Sequence, residues 1–239
     1  LGYFYAGIGL TVMEGFGLTE TTASGTFNRA RNARIGTVGQ PMPGTAVRID
    51  DDGEVCLRGP HVMRGYHNNA TATEEAIDPD GWFHTGDLGR LDDDGFLTIT
   101  GRKKELIVTA GGKNVAPAVL EDRLQAHNLI GPSMVVGEGQ PFIGALITLE
   151  PDALRAWASM HQKTGRTVSE LRDDPDLTAQ IQAAVDDANL AVSKAESIRS
   201  WRLLDSEFSV ESGHLTPTQK LKRDVVARDR AQDIGSMYI

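Results

Sequence analysis

The tetrapeptide Asp-Asp-Asp-Gly occurs twice in the first hundred residues of this chain, at residues 50–53 and again at 92–95. Each copy lies between two short strand-like runs, and an Asp-Gly pair supplies the positive φ values that tight β-hairpins need. Residues 36 to 100 are therefore predicted to form a β-meander, arranged as a small barrel or sandwich.

A different pattern begins after Glu105, where apolar runs alternate with helical periodicity. Strands are predicted at residues 106–108, 134–136, 142–149 and 198–203, and helices at residues 117–126, 152–162, 176–194 and 221–228. The predicted fold class is therefore α+β. The switch from hairpins to alternating elements predicts a domain boundary near Gly101 to Glu105.

Composition narrows the class of protein. A length of 239 residues suits one large or two small domains, and no apolar run is long enough to span a membrane. The net charge of -9 argues against a general nucleic-acid binder. The single cysteine, Cys56, excludes an internal disulfide and favours a cytoplasmic location, and the scattered histidines predict no structural metal site.

The run Gly15-Phe16-Gly17-Leu18-Thr19-Glu20-Thr21 is the first that could bind a nucleotide. An aromatic ring between two glycines can lie flat against a planar base. The hydroxyl and carboxylate that follow could contact a phosphate and its Mg²⁺ ion. The alternative is a loop before a helix, in which Thr19 is the N-cap and Glu20 interacts with the helix dipole.

Residues 81–87 read Gly-Trp-Phe-His-Thr-Gly-Asp, and Gly101-Arg102 follows a strand-like run. The Asp87 carboxylate could accept hydrogen bonds from a ribose diol, and Arg102 could bind the same sugar or a phosphate. Taken alone, Asp87 is more simply interpreted as a turn residue, and Arg102 has the alternative of a solvated charge before a strand.

Two later segments have similar alternatives. Gly111-Gly112 would allow a ligand to approach the backbone closely, or would simply form a strand-to-helix turn. Lys220, within Leu215-Thr216-Pro217-Thr218-Gln219-Lys220, could stabilise negative charge on a phosphate or carboxylate, or belong to the basic face of a helix.

In their order and approximate spacing, these segments resemble the motifs of the adenylate-forming enzymes, which include acyl-CoA synthetases, firefly luciferase and peptide-synthetase adenylation domains. The matching segments are residues 16–20, 36–44, 82–87, 95–121 and 219–223. Phe16 stands where Tyr is commoner, and Gln219 replaces a Gly. The Thr-Pro-Thr-x-Lys ending and the helical stretch 151–194 look most like the long-chain fatty acyl-CoA synthetases.

The resemblance implies an AMP-forming ligase of fatty acid metabolism. Such an enzyme joins a fatty acid to ATP with Mg²⁺, gives acyl-AMP and pyrophosphate, and passes the acyl group to coenzyme A. By this resemblance Phe16 stacks on adenine beside Gly17, Thr19 contacts phosphate, Glu20 is catalytic and holds the metal, and Asp87 and Arg102 bind the ribose.

The remaining roles concern movement. The resemblance makes Lys104 the hinge between residues 1–103, the C-terminal part of a large adenylate-forming domain, and residues 104–239, a small mobile domain. Catalytic Lys220 would reach the nucleotide for adenylation only, whereas Gly112 would line the pantetheine path for the thioester step.

The family's upstream phosphate loop is not in this sequence, so we expect a fragment of an enzyme that is inactive by itself. One alternative is an enzyme that stops at acyl-AMP or loads a carrier protein. Another is a non-catalytic nucleotide-binding module, against which Lys220 and Glu20 argue. A lipid substrate would make peripheral membrane association useful, although no sequence feature shows it.

Overall fold

The computed structural model describes residues 2–239, and its internal contacts divide the chain into two compact units. The first ends at Lys104 and the second runs from Glu105 to Ile239. Within the described residues, no helix is long and apolar enough to cross a membrane.

The first unit is mainly antiparallel β-structure. Its elements are α1 (Gly2–Gly7), β1 (Gly15–Phe16), β2 (Thr26–Phe27), β3 (Gln40–Pro41), β4 (Ala46–Ile49), β5 (Glu54–Arg58), α2 (Ala70–Ala76), β6 (Phe83–Leu91) and β7 (Leu97–Arg102). Strands β1 to β3 form one sheet, and β4 to β7 form a second sheet in sequence order.

The predicted meander is confirmed. Both Asp-Asp-Asp-Gly turns connect antiparallel neighbours, β4 with β5 and β6 with β7. Gly53 has φ +86° and Gly95 has φ +78°, as these turns require. Two details differ: the strand order recorded for this sheet is an open meander rather than a barrel, and the segment before β6 includes helix α2.

The first unit packs around Val55, Leu57 and Leu97, which are fully buried. Val55 and Leu57 point to one face of β5 because side chains alternate along a strand. The partly buried Phe16 packs against the same cluster. The loop that carries Phe16 is thereby fixed to the meander.

The second unit is α+β. Its elements are β8 (Ile107–Val108), β9 (Asn114–Val115), α3 (Pro117–Gln125), β10 (Ile130–Val136), β11 (Ile143–Leu149), α4 (Pro151–Met160), α5 (Val168–Leu171), α6 (Pro175–Asn189), β12 (Ile198–Leu203), α7 (Arg223–Asp229) and α8 (Ala231–Gly235). Strand β11 is central, antiparallel to β10 and parallel to β12. Strands β8 and β9 form a separate hairpin.

Helices cover both faces of this three-stranded sheet. Ala145 and Ile147 belong to a core that includes side chains of α3, α4 and α6. Leu146, which points the other way, packs with Val226 of α7 and Met237. All seven residues of β11 are buried, and such a strand reads as a continuous apolar run.

Every helix and strand predicted after Glu105 is present; the strand at 198–203 has the predicted bounds, and the other elements begin or end at different residues. The predicted helix 176–194 ends early, at Asn189. The Asn189 side chain accepts a 2.8 Å hydrogen bond from the Ile198 N–H and donates one of 3.0 Å to the Ile198 carbonyl. This exchange turns the chain toward β12. Helices α5 and α8 and the short strand β9 were not predicted.

Candidate functional site

The Gly15 to Thr21 run forms a compact turn. Thr19–Thr21 is one turn of 3₁₀ helix, and the hydroxyl that accepts the Leu18 N–H, at 3.0 Å, belongs to Thr21 rather than Thr19. Gly17 is required by close backbone contact, since a Cβ there would lie 2.4 Å from the carbonyl carbon and oxygen of Ala23. The predicted N-cap role of Thr19 is therefore not seen.

Glu20 is held by a segment that the sequence analysis did not single out. The Met63 N–H donates to the Glu20 carbonyl at 2.7 Å, and the Tyr66 hydroxyl donates to Glu20 Oε1 at 3.0 Å. Burial and the neighbouring carboxylate raise the pKa of the Tyr66 phenol, which therefore stays a donor. Because Tyr66 binds Oε1, Oε2 is the oxygen that a cation could share.

Asp87 and Arg102 lie opposite each other on β6 and β7. Asp87 is buried, and Arg102 Nε lies 2.9 Å from Asp87 Oδ1. The Thr85 hydroxyl accepts the Asp87 N–H at 3.1 Å and donates to the Val55 carbonyl at 2.7 Å. The Thr-Gly-Asp segment is thus part of the sheet, and Asp87 is not a turn residue.

The two lysines at the end of the first unit differ sharply. Lys103 Nζ lies 2.5 Å from Asp52 Oδ2 and 2.9 Å from Glu54 Oε2. Lys104 is exposed, in the short 3₁₀ turn Lys103–Glu105. The last fixed side chain of the first unit is therefore that of Lys103.

In the second unit, Gly112 lies at the tip of the β8–β9 hairpin. Its N–H donates to the Thr109 carbonyl at 2.8 Å, and its φ is +75°. A Cβ at Gly112 would meet nothing within 4 Å. The backbone of this turn is open to an approaching chain.

Lys220 lies on a tight loop that is closed by two hydrogen bonds between Thr216 and Lys220. The Thr216 N–H donates to the Lys220 carbonyl at 2.8 Å, and the Lys220 N–H donates to the Thr216 hydroxyl at 3.0 Å. Gln219, beside it, has φ +63°, in the left-handed region that glycine adopts easily. The loop presents the Lys220 side chain to solvent.

A partly buried ion pair holds the chain that follows this loop. The Arg223 guanidinium pairs with Glu121 of α3, and Glu121 also accepts the Val135 N–H at 2.7 Å. Arg223 donates a second, 3.4 Å hydrogen bond to the Val135 carbonyl. The start of α7, three residues after Lys220, is thereby attached to α3 and β10.

The structure therefore brings Asp87 and Arg102 together and gives Glu20 a fixed side chain. Sequence reasoning missed Tyr66, because no local pattern connects it with Glu20. Glu121 had a signal, since it is a carboxylate within the apolar positions of a predicted helix. Arg223 belonged to a recognised motif but was given no role.

Comparison with known proteins identifies both units. The family model for AMP-binding enzymes matches residues 3–67, and the model for the AMP-binding enzyme C-terminal domain matches residues 104–239. The chain is 57% identical over 239 residues to the long-chain-fatty-acid–CoA ligase FadD15 of Mycobacterium tuberculosis, covering 100% of this chain and 40% of that protein. Against the chicken (Gallus gallus) ligase ACSBG2 the identity is 40%, over 98% of this chain and 34% of the relative.

Solved structures agree in fold. ATP-bound MatB from Rhodopseudomonas palustris matches 95% of this chain and 42% of its own, with a TM-score of 0.68 and 26% identity. The anthranilate CoA ligase AuaEII with anthranoyl-AMP gives a TM-score of 0.70 over 98% of this chain and 43% of its own, at 22% identity, which shows the fold alone. The chain spans about 40% of the length of the FadD15 relatives. It belongs to the AMP-binding enzyme family and contains that family's C-terminal domain.

Proposed function

We propose that the protein containing this chain activates a long-chain fatty acid with ATP as acyl-AMP and transfers the acyl group to coenzyme A. The observation that carries the proposal is the buried Asp87 carboxylate, paired with Arg102 across two strands of the first unit. The names of the relatives, which are long-chain-fatty-acid–CoA ligases, support the substrate class.

Asp87 and Arg102 suit a ribose. An ionised carboxylate only accepts hydrogen bonds, so it matches the two hydroxyl donors of a ribose diol. The Thr85 hydroxyl and the β6 backbone fix its position. Arg102, whose side chain is 59% exposed, can bind a sugar hydroxyl or a phosphate oxygen while it remains beside Asp87.

Residues 16–20 suit the adenine base, the phosphates and the Mg²⁺ ion of a bound nucleotide. Phe16 offers a partly exposed ring for adenine, Gly17 keeps the turn tight, and Thr19 offers a hydroxyl to phosphate. Glu20 supplies a carboxylate oxygen, the kind of ligand that Mg²⁺ prefers. Mg²⁺ bound there would neutralise phosphate charge.

Lys220 and Gly112 suit the two steps of the reaction. The exposed ammonium of Lys220 lies on a loop closed by hydrogen bonds, and it can stabilise negative charge as acyl-AMP forms. Gly112 leaves open backbone past which the pantetheine chain of coenzyme A can run. We place the hinge at Lys104, so that residues 104–239 form a mobile domain that serves each step in turn after residues 1–103.

The test is acid-dependent pyrophosphate release by the full-length protein. Fatty acids of several chain lengths are supplied with ATP and Mg²⁺, with and without coenzyme A, and acyl-CoA is measured separately. Asp87→Ala should lower both products, whereas the exposed Asp93→Ala should not. If pyrophosphate is released but no acyl-CoA forms, the acceptor of the acyl group is not coenzyme A. Absence of acid-dependent pyrophosphate release would reject the proposal.

A further inference from the structure

Asp50, Cys56 and His84 meet on one face of the meander although the chain separates them widely. Cys56 and His84 are directly opposite on β5 and β6, and Asp50 follows the end of β4. Cys56 Sγ lies 3.3 Å from Asp50 Oδ2 and 3.4 Å from His84 Nδ1. His84 Nδ1 lies 3.9 Å from Asp50 Oδ2.

These separations are close to the edges of a zinc coordination tetrahedron. With Zn–S of about 2.3 Å and Zn–N and Zn–O of about 2.1 Å, the edges that include sulfur are about 3.6 Å long and the N···O edge is about 3.4 Å long. The two observed separations from sulfur are shorter than this by two or three tenths of an ångström, and the N···O separation is longer by about half an ångström. We propose that Asp50, Cys56 and His84 bind one Zn²⁺ ion, with solvent as the fourth ligand.

The surroundings favour a cation with this ligand set. The Arg48 guanidinium donates to both oxygens of Asp50, from Nε to Oδ1 at 2.5 Å and from Nη2 to Oδ2 at 3.3 Å, and Oδ2 is the oxygen that faces Cys56. Asp78 Oδ2 lies 3.8 Å from His84 Nε2, on the far side of the ring. This separation is longer than a hydrogen bond, so Asp78 acts on the His84 ring through its charge.

Glu54 adds negative charge beside the proposed zinc site but is not one of the zinc ligands. Its Oε1 accepts the Gly86 N–H at 2.8 Å, and its Oε2 accepts from Lys103 at 2.9 Å and lies 3.3 Å from His84 Nδ1. The carboxylates of Asp50, Glu54 and Asp78 thus outnumber the cations Arg48 and Lys103 in this cluster. An added cation would lower that excess of negative charge.

Metal binding at this cluster replaces the proton of the Cys56 thiol with the metal ion. Burial and then Asp50 raise the pKa of the Cys56 thiol to about 12, so the metal-free side chain keeps its proton. On binding, the S–H bond breaks, a Zn–S bond forms and the proton leaves to solvent. Linear spacing predicts no metal site here because two strands, β5 and β6, and the residue after β4 supply the ligands.

Co²⁺ is the most direct probe, because cobalt bound to thiolate has a charge-transfer absorption band. Cys56 is the single cysteine of the chain, so such a band in the 239-residue chain reports this cluster. We expect a band that saturates at one Co²⁺ per chain and disappears when Zn²⁺ is added. Circular dichroism, recorded on every sample, shows that the chain is folded.

The deciding variants are those of the other two ligands, since Cys56→Ser abolishes any thiolate band by itself. His84→Asn and Asp50→Asn should each weaken Co²⁺ binding at least tenfold, whereas His67→Asn, at an exposed histidine of the same unit, should leave it unchanged. Two ligand variants are used so that misfolding of one leaves the other decisive. The proposal is overturned if the folded chain shows no band, or if binding is unchanged in a folded ligand variant.

Discussion

The Tyr66 hydroxyl donates a 3.0 Å hydrogen bond to Glu20 Oε1. The pair spans 46 residues of sequence and joins the turn at Thr19–Thr21 to the segment before α2. A carboxylate held at one oxygen presents the other in a fixed direction. Tyr66 is therefore a positioning residue for the proposed Mg²⁺ ligand.

Tyr66→Phe removes this bond and keeps the ring. In the full-length protein we expect the Mg²⁺ concentration for half-maximal adenylation to rise several-fold, in line with about 1 kcal/mol for such a hydrogen bond. Tyr3→Phe, at an exposed tyrosine, is the matched control. An unchanged Mg²⁺ dependence in Tyr66→Phe would remove Tyr66 from the site.

Lys220→Ala should impair the two half-reactions unequally. Loss of a group that stabilises charge only during adenylation typically lowers the rate by about 10²- to 10³-fold. Synthetic acyl-AMP with coenzyme A isolates the thioester step, which should stay near its normal rate. Lys222→Ala, at an exposed neighbouring lysine, is the control. Equal loss of both steps would indicate a structural role for Lys220.

Glu121→Ala should destabilise the second unit. It removes the nearer carboxylate of the Arg223 guanidinium and leaves only the looser contact of Nε with Glu105 Oε2 at 3.9 Å. Removing one partner of a buried pair costs about 3–5 kcal/mol. Because the Arg223 side chain is 22% exposed, we expect the lower end, about 3 kcal/mol. Urea unfolding measures this, with the neighbouring exposed Asp122→Ala as control. A comparable loss in the control would show that the pair contributes little.

Gln219→Gly should stabilise the chain. The left-handed conformation at Gln219, with φ +63°, costs a non-glycine residue about 1 kcal/mol, partly offset by the greater freedom of glycine when unfolded. We expect a net gain of roughly 0.5 kcal/mol in urea unfolding. Ala183→Gly, at an exposed position inside α6, should destabilise by about 1 kcal/mol. Destabilisation by both would show that Gln219 makes a compensating contact.

Lys103→Met should make the free energy of unfolding less dependent on pH in the acid range. Hydrogen bonding to Lys103 lowers the pKa of Asp52. Burial raises the pKa of Glu54, but Lys103 and the Gly86 N–H outweigh it, and the net shift is downward. These carboxylates bind fewer protons folded than unfolded, so their stabilisation is present above an ordinary pKa of about 4 and is lost as pH falls below it.

The measurement is the urea midpoint between about pH 7 and pH 3, across the ordinary carboxyl pKa. Lys103→Met should lose less stability over this range than the unchanged chain, because less carboxylate stabilisation is present to be lost. The control is Lys104→Met, which removes the same charge one residue later. Parallel curves for both variants would show that the effect belongs to net charge.

Local chemistry made much of the fold predictable. The turns at Gly53 and Gly95 predicted two hairpins, and the helix predicted at 117–126 begins at Pro117. Helix ends were less predictable because tertiary contacts decide them. The α6 end depends on hydrogen bonds between Asn189 and Ile198, which periodicity within the helix cannot show.

The candidate site was predictable where its residues share a motif. Asp87 and Arg102 were expected to act on one ligand, and the register of β6 and β7 places them opposite each other. The roles assigned to them stay predictions. Tyr66 and the Asp50–Cys56–His84 cluster depend on contacts between distant segments, for which no local pattern exists.

The parallel pairing of β11 with β12 has a consequence for how the chain is made. Residues 150–197 separate the two strands, so β10 and β11 can pair during synthesis long before β12 emerges from the ribosome. In that interval one edge of β11, a largely apolar strand, has no neighbour. An unpaired apolar edge can recruit strands of other chains, so slow translation of α4 to α6 would favour aggregation, and chaperone capture is expected at that stage.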